Sequence, residues 1–165
     1  MISFLKRFFS SLQKTKENDF LLRGIYEYLN KYPLASEENY IRALTHSSYT
    51  KKLQEKNERL EFLGDAVLDF LSAAWLFEHY PELNEGRLTS LRAAIVRSST
   101  LAKFAEEVGL PDHVRLGKGE LETGGKNRAN ILGDAFEALL GALYLDQGLD
   151  AVRGHRRRMF GIVAQ

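Results

Sequence analysis

The 165-residue chain has no cysteine, which excludes disulfides and thiolate metal sites alike. It has three prolines, Pro33, Pro81 and Pro111, each placed where a helical pattern breaks off. No apolar run approaches the roughly 20 residues that span a bilayer. The segment from Ile2 to Leu12 is basic and apolar, but Lys6-Arg7 interrupts it, so it lacks the continuous apolar region of a signal peptide. No repeat, low-complexity tract or interdomain linker is present. The four histidines, His46, His79, His113 and His155, form no paired arrangement, which argues against metal-free acid–base chemistry. His46, within Thr45-His46-Ser47, reads as a hydrogen-bonded structural residue. Lys118-Gly119 and Gly124-Gly125 lack the spacing of a nucleotide-binding loop, so no nucleotide cofactor is expected.

Charge of either sign is nearly balanced, with 23 basic against 22 acidic residues, but it is unevenly spread. Residues 17–152 hold all 22 acids and 15 bases, a net of −7, while Lys6, Arg7, Lys14, Lys16, Arg153, Arg156, Arg157 and Arg158 lie at the two ends. A chain of this length suits one domain that buries roughly two-thirds of its unfolded surface. The expected organisation is a basic amphipathic helix over 1–16, a body over 17–150 and a basic tail over 151–165. The body is expected to be a compact cytoplasmic domain with no membrane span.

The pattern is all-helical. Asp19 opens a helix to about Asn30, and Ser36 opens a short one through Leu44. A long helix follows Asn57 and ends near His79-Tyr80-Pro81. The next runs from Glu85 to Val96, and Ser98 or Ser99 caps another through Val108, ended by Gly109 and Pro111. His113 to Leu116 reads as a brief extended piece, and 117–128 as a glycine- and charge-rich loop. A last long helix reaches about Asp146.

Two of these helices carry carboxylates opposite an apolar arc. With Glu58 set at 0° and roughly 100° per residue, Glu61, Asp65 and Asp69 fall at about 300°, 340° and 20°. On the same scale, Leu60, Leu63, Val67, Phe70, Leu71 and Ala74 fall between about 120° and 220°. Phe62, at about 40° on that wheel, stands beside the acids and away from the core arc, so something must cover it. In the last helix Asp134 and Glu137 are three apart and share a face. Gly141 continues that stripe and lets another helix or a ligand come close. Like charges aligned this way repel unless they face water or share a cation, and carboxylate oxygens are the hard ligands that Mg²⁺ prefers.

The segment Asn57-Glu58-Arg59-Leu60-Glu61-Phe62-Leu63-Gly64-Asp65-Ala66-Val67-Leu68-Asp69-Phe70 resembles the signature motif of the ribonuclease III family of double-strand-specific RNA endonucleases. Ala43 to Tyr49 is similar to the family's first block, Asn84 to Arg92 to its third, and Leu116 to Glu120 with Gly124 to Lys126 and Ile131 to Leu140 to its last. The resemblance covers roughly residues 19–150 and is nearest to the bacterial enzyme. Homologous nucleases continue into a separate double-stranded-RNA-binding domain, and this chain stops short of one, as a short form, a truncated chain or one that lost the module.

The resemblance implies the all-helical endonuclease-domain fold of the family, as a homodimer, with Phe62 packing into the partner subunit. It implies that Glu61, Asp65, Asp134 and Glu137 hold the catalytic ions, Mg²⁺ with Mn²⁺ as a substitute. Glu58 and Glu85 match acids at the outer edge of the site, tied to RNA contact or substrate orientation. Asn130, one turn before the second acidic helix, orders a phosphate or a ligand, and Asp69 is solvated or stands behind the ligands. Arg87, Arg92, Arg97, Lys126 and Arg128 are candidates for phosphate contact. The implied reaction is metal-dependent hydrolysis of double-stranded RNA to 5′-phosphate and 3′-hydroxyl ends with two-nucleotide 3′ overhangs, in maturation of ribosomal RNA precursors and in messenger RNA decay. Two alternatives stay open: a non-catalytic RNA-binding scaffold on the same fold, and a compact nuclease of ribosomal RNA maturation.

Overall fold

The computed structural model describes residues 36–153. The expected helices over 1–16 and 19–30, and the tail from 154 onward, lie outside the described residues. Within them the chain forms six α-helices: α1 Glu37–Ala43, α2 Glu58–His79, α3 Glu85–Val96, α4 Ser98–Glu107, α5 Lys118–Glu122 and α6 Ala129–Gln147. No strand ladder forms among the described residues; the extended piece after His113 contributes one isolated parallel bridge, Thr45 to Arg115.

The core is built around α6, whose Leu132, Ala135, Phe136, Ala138, Leu139, Leu140, Ala142 and Leu143 are buried. Against it pack α2 through Leu60, Val67, Leu68 and Leu71, and α4 through Leu101, Phe104 and Ala105. Phe104 and Phe136 meet with ring centroids 5.8 Å apart. Losing any of these leucines to alanine leaves a cavity, at a cost of about 2–5 kcal/mol. A smaller cluster joins the far end of α2 to α3, with Leu76 and Ile95 buried among Trp75, Tyr80, Leu88 and Leu91.

Chain entry into α1 is fastened from a distance. The Ser36 amide donates to Asp146 Oδ1 at 2.9 Å and the Tyr40 hydroxyl to Asp146 Oδ2 at 3.0 Å, tying α1 to the last turn of α6. Burial, then the neighbouring Asp146 carboxylate and its hydrogen bond, push the Tyr40 phenol well above its usual range. The start of α2 is held similarly: the Asn57 amide donates to the Thr45 carbonyl at 2.9 Å, and Arg42 Nε donates to the Lys56 carbonyl at 2.9 Å.

Four details differ from the pattern read in the sequence. Helix α4 begins at Ser98 itself, with Arg97 in the capping position and no side-chain cap, because Arg97 also closes α3 and leaves no room for a separate cap. The segment 117–128 is not an open loop: it folds into α5 and a single 3₁₀ turn, Gly125–Asn127. Asn130 lies inside the first turn of α6, since that helix starts at Ala129. Phe70, at the edge of the apolar arc of α2, points to the surface and not into the core.

Candidate metal centre

Helices α2 and α6 cross with their backbones almost in contact. A Cβ at Gly64 would overlap the Glu137 carbonyl, and one at Gly141 would overlap the Leu60 carbonyl. Only glycine allows that approach at both points. The crossing lies next to Glu61 on one helix and Glu137 on the other, so it sets how near their carboxylates come.

Glu61, Asp134 and Glu137 each offer a carboxylate oxygen within 4.8 Å of the others, and all three are half-buried. None of the three has a hydrogen bond or an ion pair among the described residues. Half-buried carboxylates left without a partner are costly, and their proton affinities record it. Burial, followed by Asp65, Asp134, Glu61 and Asp69, pushes Glu137 up to about 8. Burial, then Asp134, Glu58 and Asp65, raises Glu61 above the usual carboxylate range. Burial also raises Asp134, against an opposing pull from His46. A divalent cation with hard-oxygen preference meets this donor set well, because it supplies the missing positive charge and satisfies several oxygens at once.

Asp65, one turn after Glu61, is exposed and falls outside the 4.8 Å group, although its charge bears on both Glu61 and Glu137. Three of the four expected acids are thus brought together, with the fourth beside them. Glu58 stands exposed in the first turn of α2. Glu85, in the first turn of α3, accepts from the Thr89 hydroxyl at 2.9 Å. Asp69 faces Arg92, its Oδ1 lying 3.8 Å from Nε.

The basic candidates divide into two groups. Arg92 is drawn to Asp69, and Arg128 is consumed inside the chain. Arg128 donates to Glu120 Oε2 and to Thr123 Oγ1, both at 2.6 Å, and to the Thr123 carbonyl at 3.3 Å. That network holds the 118–123 segment against the start of α6. Arg87, Arg97 and Lys126 have no acidic partner within ion-pair distance among the described residues, and Arg97 Nε lies 3.4 Å from Thr100 Oγ1.

Phe62 is 80 % exposed, so no neighbouring helix of the same chain covers it. Phe70 at 55 % and Phe77 at 76 % extend an apolar strip along α2 that the sequence pattern did not show. His46 was also missed as a neighbour of the acids. Its adjacency to Asp134 arises from chain segments far apart in sequence, and no local signal marks it.

A family profile described as Ribonuclease-III-like matches residues 36–160. The chain is 55% identical over 123 residues to Ribonuclease 3 of Bacillus cytotoxicus, a match covering 72% of this chain and 50% of that protein. It therefore spans about half the length of the curated relatives it matches. Among solved structures, the nuclease domain of ribonuclease III from Campylobacter jejuni superposes with a TM-score of 0.79 at 37% identity, covering 86% of this chain and 96% of that one. That structure is described as flexible in a region involved in dimer formation. Dicer from Pichia stipitis superposes with a TM-score of 0.60 at 29% identity, over 79% of this chain and 57% of that one.

Proposed function

Because the chain belongs to the ribonuclease III family, we propose that it is an endoribonuclease that hydrolyses double-stranded RNA with a divalent cation. The observation that carries this reading is the group of three unpartnered, half-buried carboxylates held within 4.8 Å where α2 crosses α6. On this reading Glu61, Asp134 and Glu137 ligate the cation and Asp65 completes the set. Mg²⁺ is the natural occupant and Mn²⁺ a working substitute, given an all-oxygen donor set. When bound, such an ion supplies water activation and stabilises charge on the departing oxygen.

The chain's own residues do the rest. The glycine crossing fixes the ligand spacing. Glu58 and Glu85 orient substrate from the rim, while Asn130, Arg87, Arg97 and Lys126 contact phosphates; Arg92 and Arg128 act indirectly, by holding Asp69 and the 118–123 segment. Water adds to phosphorus, the P–O3′ bond breaks, and the products carry 5′-phosphate and 3′-hydroxyl ends. Two chains pair through Phe62 and its apolar strip. The two sites then cut opposite strands two nucleotides out of register, and duplex shape is read through the backbone and 2′-hydroxyls. Such a nuclease fits maturation of ribosomal RNA precursors and messenger RNA turnover in the cytoplasm.

The test is cleavage of an end-labelled RNA duplex with Mg²⁺ or EDTA, by the native chain and by Glu137→Gln. Metal-dependent cuts with two-nucleotide 3′ overhangs, absent in the variant, are expected. Duplex binding without any cutting by the native chain would favour the scaffold reading instead.

A further inference from the structure

His46 lies at the end of α2 that carries Glu61. The residue before it, Thr45, accepts the amide proton of Asn57 at 2.9 Å, and Asn57 caps α2 by accepting from Leu60 and Glu61. On its other side the His46 amide donates to the Arg115 carbonyl at 3.1 Å. The backbone is therefore held from both directions, and Gly117 packs so closely that a Cβ there would overlap the Ser48 carbonyl.

The ring is held as firmly. The Ser48 amide donates to His46 Nδ1 at 3.2 Å, and Ser48 Oγ lies 2.8 Å from the same nitrogen. Ser48 Oγ itself accepts the Gly117 amide proton at 2.9 Å, which leaves its hydroxyl proton to give to Nδ1. An amide N–H can only donate, so Nδ1 serves as a lone-pair acceptor and the neutral ring carries its proton on Nε2. Nε2 has no partner among the described residues, and the residue is only half-exposed. No hydrogen bond joins it to Asp134, although the two are near enough for the His46 charge to act on that carboxylate. A donor of fixed tautomer thus stands open beside the acids, where an anion would complete it.

We propose that His46 Nε2–H donates a hydrogen bond to a phosphate oxygen of the RNA strand at this site, making His46 a substrate-contacting residue held in its donor tautomer by Ser48 and Gly117. The inference rests on the nuclease reading above. It makes two substitutions diverge. In His46→Asn the amide oxygen can replace Nδ1 as the acceptor for Ser48, but no donor reaches the position of Nε2. In His46→Gln the amide nitrogen reaches that position and restores the donor.

Steady-state cleavage of a labelled duplex, with thermal melting of each variant alongside, separates the possibilities. His46→Asn is expected to raise KM or lower kcat/KM by about tenfold or more, the scale of one hydrogen bond to a charged group. His46→Gln is expected to recover most of that loss, with melting temperatures that do not follow the activities. Any result in which Gln performs no better than Asn, or in which Asn cleaves like the native chain, overturns the role of His46. A native chain that neither binds nor cuts duplex RNA overturns the nuclease reading itself, and this inference with it.

Discussion

Replacing Glu137 with glutamine should make the metal-free protein more stable while removing its activity. In the folded chain burial and the surrounding acids hold Glu137 up to about 8, against an ordinary value of 4.5. Between those two values the folded protein keeps a proton that the unfolded chain has released. Stability from this group is therefore complete below about 4.5 and is lost as pH rises through about 8. At 1.36 kcal/mol per pKa unit the ceiling is roughly 5 kcal/mol. Glu137 is half-buried, and solvent screening reduces that to about 1–2 kcal/mol. Glutamine matches the protonated acid in shape and never ionises, so the variant escapes the loss. In EDTA the two proteins should melt together near pH 5. At pH 9 the variant should melt about 3–6 °C higher, taking about 3 °C per kcal/mol for a domain of this size. Excess Mg²⁺ should reverse the order, since only the native ligand set gains fully from the ion, about 2.7 kcal/mol at a hundredfold excess over Kd. Thermal melts across this pH range decide the matter. A variant no more stable than the native chain at pH 9 in EDTA, or a difference that does not change with pH, would refute the claim that Glu137 carries uncompensated charge.

Two further substitutions test the architecture around the site. Phe62→Ala should weaken self-association by at least about a hundredfold, because each of two symmetric copies loses a buried phenyl worth about 1.5–3 kcal/mol; sedimentation that is unchanged at low concentration would remove Phe62 from the interface. Gly64→Ala should cost about 1–3 kcal/mol or more in stability by forcing α2 away from the Glu137 carbonyl. It should also raise the Mg²⁺ concentration needed for half-maximal cleavage, whereas Gly119→Ala, with open space around it, should change neither; equal metal requirements in the two variants would show that the crossing does not set the ligand spacing.

The two acid-bearing helices were legible because one period encodes both of their faces. Leu60, Val67 and Leu71 face the core, while Glu61 and Asp65 fall to one side of them, so the repeat that builds the helix also aligns the carboxylates. Gly141 was legible for a related reason, since a small residue in a stripe of acids has no packing role of its own until a second helix touches it. The 117–128 segment was read as a loop because its four glycines, Gly117, Gly119, Gly124 and Gly125, weigh against helix. Its order instead comes from Arg128, which reaches back to Glu120 and Thr123. That contact belongs to tertiary structure, and no local propensity encodes it. Phe70 shows the limit of the wheel: at the rim of the apolar arc, its fate depends on whether a neighbouring helix of the same chain reaches that far, and none does. His46 depends most on the fold. Three segments meet there, through Thr45 on Asn57, Ser48 on Gly117 and the approach to Asp134, and only their meeting turns a histidine that looks structural into an open donor beside the carboxylates.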